Sequence, residues 1–117
     1  FEPLRSIVRK ITAKVLAEGL PKGTCLNVNF PKAAEFNGVK VCRMAKGTWG
    51  NEVVRSRHPR GYDYYWLVGE YTNDEPEATD TDNWALNHGY VAITPTTIDV
   101  TDYAMFERLK DCADEFC

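Results

Sequence analysis

Ala78-Thr79-Asp80-Thr81-Asp82-Asn83-Trp84-Ala85-Leu86-Asn87-His88-Gly89-Tyr90-Val91-Ala92-Ile93-Thr94-Pro95 reads, in order, as an acidic loop, a short helix and a strand. Thr81 or Asp82 offers a side-chain oxygen to the first free helix amides, and Gly89 offers the left-handed residue that closes the helix. The helix is predicted at 81–88 and the strand at 90–94. Pro95, which has no amide hydrogen, is expected to stop that strand.

Upstream lies a predicted long β-hairpin, about 48–71, with Val53 and Val54 on the outgoing arm and a turn at His58 to Gly61. On the returning arm Tyr62, Tyr64, Trp66 and Val68 fall on one face, and Tyr65, Leu67 and Tyr71 on the other. A strand apolar on both faces needs cover on both. Two arrangements supply it: a core strand covered twice within the chain, or an arm covered by another subunit. The loop Asn73 to Asp82, interrupted by Pro76, has no regular pattern.

Leu4, Ile7, Val8, Ile11, Val15 and Leu16 recur at three- and four-residue intervals, with Arg5, Arg9, Lys10 and Lys14 opposite, predicting an amphipathic helix over 3–18 that Gly19 and Pro21 end. Strands follow at about 24–30, ended by Pro31, and 39–43. Thr101 is expected to cap a terminal helix, 102–116, with Met105, Phe106, Leu109, Cys112, Ala113 and Phe116 on one stripe. Short strands, a long hairpin and a helix at each end make an α+β chain.

The 117 residues suit one small domain, and a 44% hydrophobic, 26% charged composition is that of a soluble globular protein. No apolar run approaches the ~20 residues of a membrane span. Residues 1–60 carry twelve Lys or Arg against four Glu, net plus eight; residues 61–117 carry two against thirteen acids, net minus eleven. Either the halves neutralise each other, or the basic half draws an anionic partner. Nucleic acid is not the expected partner, since zinc-finger spacing, an RNP-like aromatic pattern and a helix-turn-helix are all missing. Cys25, Cys42, Cys112 and Cys117 form no CxxC pair and read as reduced thiols of a cytoplasmic protein, with no zinc site.

With Pro59-Arg60-Gly61-Tyr62-Asp63-Tyr64-Tyr65-Trp66, the quoted stretch resembles the C-terminal half of the SurE family, stationary-phase survival nucleotidases that remove phosphate from nucleoside 5'-monophosphates. Gly19-Leu20-Pro21-Lys22-Gly23-Thr24-Cys25-Leu26-Asn27-Val28-Asn29-Phe30-Pro31 is similar to the family's Leu-Asn-Val-Asn-x-Pro strand, and Gly38-Val39-Lys40-Val41-Cys42-Arg43 follows in order. Thr79-Asp80, Gly89-Tyr90-Val91, Thr94-Pro95 and the Asp99–Thr101 helix start complete the series. Met44 stands where many relatives have Gln, and Ala78 where they have Gly.

The resemblance implies a Rossmann-like α/β parent in which two adjacent aspartates, a serine and an asparagine hold a divalent metal, Mg or Mn. Metal-activated water then attacks phosphorus. Residues 1–60 hold no aspartate and the chain has no Asp-Asp pair. The chain, 1–117, is therefore expected to be the C-terminal portion, with no catalytic, cofactor-binding or metal residue of its own, and inactive alone. The resemblance also implies a dimer or tetramer built through the hairpin and C-terminal helix. A free-standing, non-enzymatic interaction module is the alternative.

Candidate residues have competing readings. His58 and His88 are of the type used for proton transfer, yet neither has a partner in sequence. Asp80 and Asp82 read as helix capping before a metal pair. Lys40, Arg43, Lys46, Arg55, Arg57 and Arg60 form either a solvated basic surface or a lure for phosphate, in which Arg43, Lys46 or Arg55 would approach the parent's substrate.

Overall fold

The computed structural model describes residues 2–111. The described residues fall into two compact units, residues 2–26 with 96–111, and residues 27–95.

In the first unit, helix α1 (Glu2–Glu18) half-buries Leu4, Ile7, Ile11 and Val15, the i, i+3, i+4 stripe its sequence carries. Gly19, at φ 74°, ends it by donating its amide to Val15 O at 2.8 Å. Helix α3 follows a short turn and spans Tyr103–Leu109. Its N-cap is Asp102, which accepts from the Met105 amide at 3.0 Å, and not Thr101, whose own amide is tied to Asp99 Oδ1 at 3.0 Å. The predicted continuation to 116, with Cys112, Ala113 and Phe116, lies outside the described residues, as does Cys117.

Three strands, β1 (Thr24–Asn29), β2 (Val39–Val41) and β7 (Val91–Thr97), form a sheet in the order β1-β7-β2. β2 runs parallel to β7, with Val39 opposite Val91 and Val41 opposite Ile93. Ile98 N–H donates to Gly23 O, and Cys25 Sγ lies 3.0 Å from Thr96 Oγ1. That reversed order makes β1 antiparallel to β7.

β7 does not stop at Pro95. It runs to Thr97. Val91 N–H and Ile93 C=O serve the β2 side, whereas Ile98 N–H serves β1. Alternation therefore turns the Pro95 nitrogen toward β2, which has already ended at Val41, so no ladder bond is lost.

The hairpin consists of two antiparallel ladders. β3 (Gly47–Gly50) pairs with β6 (Glu70–Asn73), and β4 (Val53–Arg57) pairs with β5 (Asp63–Leu67). Between them Asn51 adopts φ 52°, and Val68 N–H reaches Glu52 O at 2.8 Å. His58 and Tyr62 close the turn, with Gly61 at φ 92°. Tyr65 is 62% exposed, Trp66 58% and Leu67 86%. A core strand covered twice within the chain is thus ruled out for this arm, because two strands alone cannot shield both of their faces.

Helix α2 spans Asp82–Asn87. Its Ala85 is fully buried, together with Thr81, Val91 and Ala92, and Cys42 and Thr94 are nearly so. Gly89, at φ 76°, turns the chain from α2 back into β7, where a Cβ would stand 3.0 Å from Asn37 Nδ2. Among the described residues no helix is long and apolar enough to cross a membrane.

Candidate functional site

The carboxyl end of β2, the base of the hairpin and the start of α2 meet around Arg43. Its backbone exchanges bonds with the acidic loop: Arg43 N–H donates to Asp80 O at 3.1 Å and Asp82 N–H donates to Arg43 O at 3.0 Å. Its guanidinium forks onto two carboxylates. Nε and Nη2 donate to Asp80 Oδ2 and Oδ1 at 2.8 and 3.0 Å, while Nη1 and Nη2 donate to Glu75 Oε1 and Oε2. Glu75 Oε1 also accepts the Lys46 amide at 2.9 Å.

These bonds hold both acids ionised. The Arg43 guanidinium, helped by the Lys46 amide, lowers Glu75 from its ordinary 4.5 to about 2. Asp80 is lowered chiefly by the same guanidinium, and Arg43 is raised in turn, first by Glu75 and then by Asp80. Neither carboxylate is poised for proton transfer near neutral pH.

Capping at α2 falls to Thr81, whose Oγ1 accepts the Trp84 amide at 3.2 Å and donates to Ala78 O at 3.0 Å. Asp82 does something else. Its Oδ1 accepts the Ala45 and Asn83 amides, each at 2.8 Å, joining the helix to the strand that follows Arg43.

A divalent metal of the kind the resemblance implies does not fit the donors present. Among the described residues no group of three or more His, Cys, Asp or Glu is placed to hold one. Glu75 and Asp80 are spent on Arg43, and Asp82 on two amides.

The histidines sit apart from these acids. His58 stacks on Tyr62 with centroids 4.4 Å apart, and its Nδ1 accepts the Arg60 amide at 3.2 Å. His88 caps α2 and stacks on Trp84 at 3.8 Å, with Nδ1 2.8 Å from Trp84 O. Lys40 Nζ lies 4.7 Å from the Trp84 ring centroid and 5.0 Å from that of Tyr90, a cation over two aromatic faces. Arg55 pairs with Asp63 across the hairpin at 2.5 Å. Lys40, Arg43 and Arg55 therefore have partners of their own, which leaves the predicted basic cluster divided. Burial, and then Asp82, push the Cys42 thiol up, so it is a packed group and no nucleophile.

Beside Arg43 opens a cleft of about 400 Å³, lined by Met44, Trp49, Tyr71, Asp82, Asn83 and Leu86. Trp49, Tyr71 and Asn83 escape a reading of local pattern. A signal was nevertheless present: Gly47-Thr48-Trp49 and Gly69-Glu70-Tyr71 repeat one Gly-x-aromatic spacing on the two arms.

A profile described as Survival protein SurE matches residues 1–51. The chain is 60% identical over 104 residues to the 5'-nucleotidase SurE of Phocaeicola vulgatus, covering 89% of this chain and 40% of that protein. It is 50% identical over 110 residues to the 5'-nucleotidase SurE of Bacteroides thetaiotaomicron, covering 94% and 42%. The crystal structure of SurE protein from Aquifex aeolicus superposes with a TM-score of 0.66 at 34% identity, covering 96% of this chain and 46% of that one. The chain thus spans less than half the length of these relatives.

Proposed function

This chain belongs to the SurE family, and from that premise we propose that it is the assembly and scaffold portion of a metal-dependent nucleoside 5'-monophosphate phosphohydrolase. The metal centre, with Mg or Mn, belongs to residues other than those described, and the chain by itself is inactive. The observation that carries this reading is the β4–β5 arm. Tyr65, Trp66 and Leu67 are exposed at 62%, 58% and 86%, a run of large side chains that a stable monomer does not leave in water.

A second copy supplies the missing cover, giving a dimer or tetramer through the hairpin and the terminal helix. The donor inventory supports the rest. Among the described residues Glu75 and Asp80 are engaged by Arg43 and Asp82 holds two amides through Oδ1, whereas a metal able to activate water needs several open, converging oxygens. The free thiols Cys25 and Cys42 suit a reducing cytoplasm.

The test is phosphate release. Incubated with AMP or GMP and Mg or Mn, the chain is expected to release none. Turnover that stays with the chain through several columns overturns the assignment. On light scattering the chain is expected to be at least dimeric, and a monodisperse monomer at high concentration removes the assembly role.

A further inference from the structure

The tip of the β4–β5 hairpin is closed twice. On the backbone, His58 N–H donates to Tyr62 O at 2.8 Å and Gly61 N–H donates to His58 O at 2.9 Å. A side chain makes the second closure: the half-buried His58 ring folds back so that Nδ1 accepts the Arg60 amide at 3.2 Å. A backbone amide nitrogen only donates, so this bond needs a lone pair on Nδ1 and puts the ring's hydrogen on Nε2.

The same ring begins a row of aromatics. His58 lies flat on Tyr62, with centroids 4.4 Å apart and planes at 7°, and meets Tyr64 edge-on at 6.4 Å. Tyr64 in turn meets Trp66 at 6.0 Å and 69°. Tyr62, Tyr64 and Trp66 keep 54%, 37% and 58% of their surface exposed, so the position of the His58 ring decides how this face of the arm ends.

Imidazole is the side chain that gains a proton between about pH 5 and 8. A proton on Nδ1 turns the acceptor into a donor, and the Arg60 amide then meets a second N–H. The charges nearby do not compensate. Arg57 and Arg60 flank the ring in the chain, and Asp63 on β5 is held by Arg55. Stacking on Tyr62 and Tyr64 tolerates either form of the ring, so the bond to the Arg60 amide is what separates them. His88 is built differently: its Nδ1 lies 2.8 Å from a carbonyl, Trp84 O, to which a neutral or a charged ring donates equally.

We propose that His58 is a proton-operated latch on the hairpin tip: neutral, it ties the Arg60 amide and covers Tyr62; protonated, it releases both. The closed tip holds one proton fewer than the open one, so closure is complete at slightly alkaline pH and is lost as pH falls through the imidazole range. One consequence rests on the assembly reading above. Association through the arm weakens in acid, because covering the tip with a second copy would then bury an unpaired charge.

The variant His58→Asn isolates the latch. Asparagine there offers Oδ1 to the Arg60 amide, an acceptor that no proton removes in this range. Amide NMR of the chain from about pH 7.5 to about pH 5.5 is expected to move the Arg60 resonance in one step in wild type, together with the His58 ring protons, and to leave it still in His58→Asn. Light scattering on dilution is expected to show the dissociation constant rising about fivefold over that interval in wild type, the scale of one lost hydrogen bond, and staying constant in His58→Asn.

An Arg60 amide that ignores pH in wild type, or that responds equally in His58→Asn, overturns the latch. Association that stays constant while the Arg60 amide titrates overturns its control of assembly. A chain that is monomeric throughout overturns the assembly reading instead, and the Arg60 resonance still decides the latch.

Discussion

Within residues 27–95, small side chains are buried around α2 and β7 while large ones stand in water on the β4–β5 hairpin. Ala85, Val91 and Ala92 have no exposed surface, yet Leu67 keeps 86% of its own. Side-chain hydrophobicity alone would order these residues the other way. The difference lies in what surrounds each backbone. β7 has a strand on either side, and its Ala92 packs with Ala85 of α2, whereas β4 and β5 have only each other. The first region makes a core within this chain, and the second leaves its apolar surface exposed.

Ala85→Leu attacks the buried region and carries the largest expected effect. With no space at Ala85, the added carbons must displace Cys42 or Ala92, at a cost of about 1–3 kcal/mol. Thermal denaturation monitored by circular dichroism should show a clear fall in Tm, while Leu67→Ala, on the exposed arm, should stay within about 0.5 kcal/mol in the dissociated chain. An equal loss in both would erase the distinction between the regions.

Trp66→Ala addresses the hairpin from the other direction. If the arm is an interface, association should weaken by about 2 kcal/mol, read as a shift in the concentration dependence of light scattering. Unchanged assembly would mean that another surface holds the copies together.

Thr81→Ala is expected to cost about 1 kcal/mol, since the Trp84 amide loses its acceptor at the start of α2. Thr81→Ser, which keeps the hydroxyl, should recover most of it. Urea denaturation of the two variants distinguishes lost capping from lost methyl packing.

Acid gives the smallest effect. Glu75 has a folded value of about 2, below its ordinary 4.5, so its contribution is complete above about pH 4.5 and disappears as pH falls toward about 2. Asp80 is shifted in the same direction by the same guanidinium. Solvent around this pair screens the interaction and keeps the slope shallow. Arg43→Gln should flatten the stability profile within that window, so that its small loss of stability is greatest at pH 6 to 8 and shrinks as pH falls toward about 2.

Local features were legible in the residues themselves. Gly89 marked the end of α2, the threonine and aspartates before Trp84 marked its start, and the alternation along the aromatic arm marked large side chains on both of its faces. These depend on neighbours within a few positions, where backbone sterics and hydrogen-bond reach act directly. Which oxygen would cap α2 was not settled locally, because Thr81 and Asp82 are both competent and Asp82 is drawn to the amide of Ala45.

Pro95 and Arg43 show where sequence ran out. Proline ends a strand only if its missing amide hydrogen would have met a partner, and here β2 stops two residues before that demand arises. Arg43 finds its carboxylates 32 and 37 residues away. The sequence by itself determined where most elements lie, the turn that closes α2 and the excess of apolar surface on one arm, since each follows from short-range chemistry. Tertiary structure alone decided that Arg43 consumes the acids, that β7 runs through Pro95, and that Trp49, Tyr71 and Asn83 share a cleft, because each depends on how segments distant in the chain are paired.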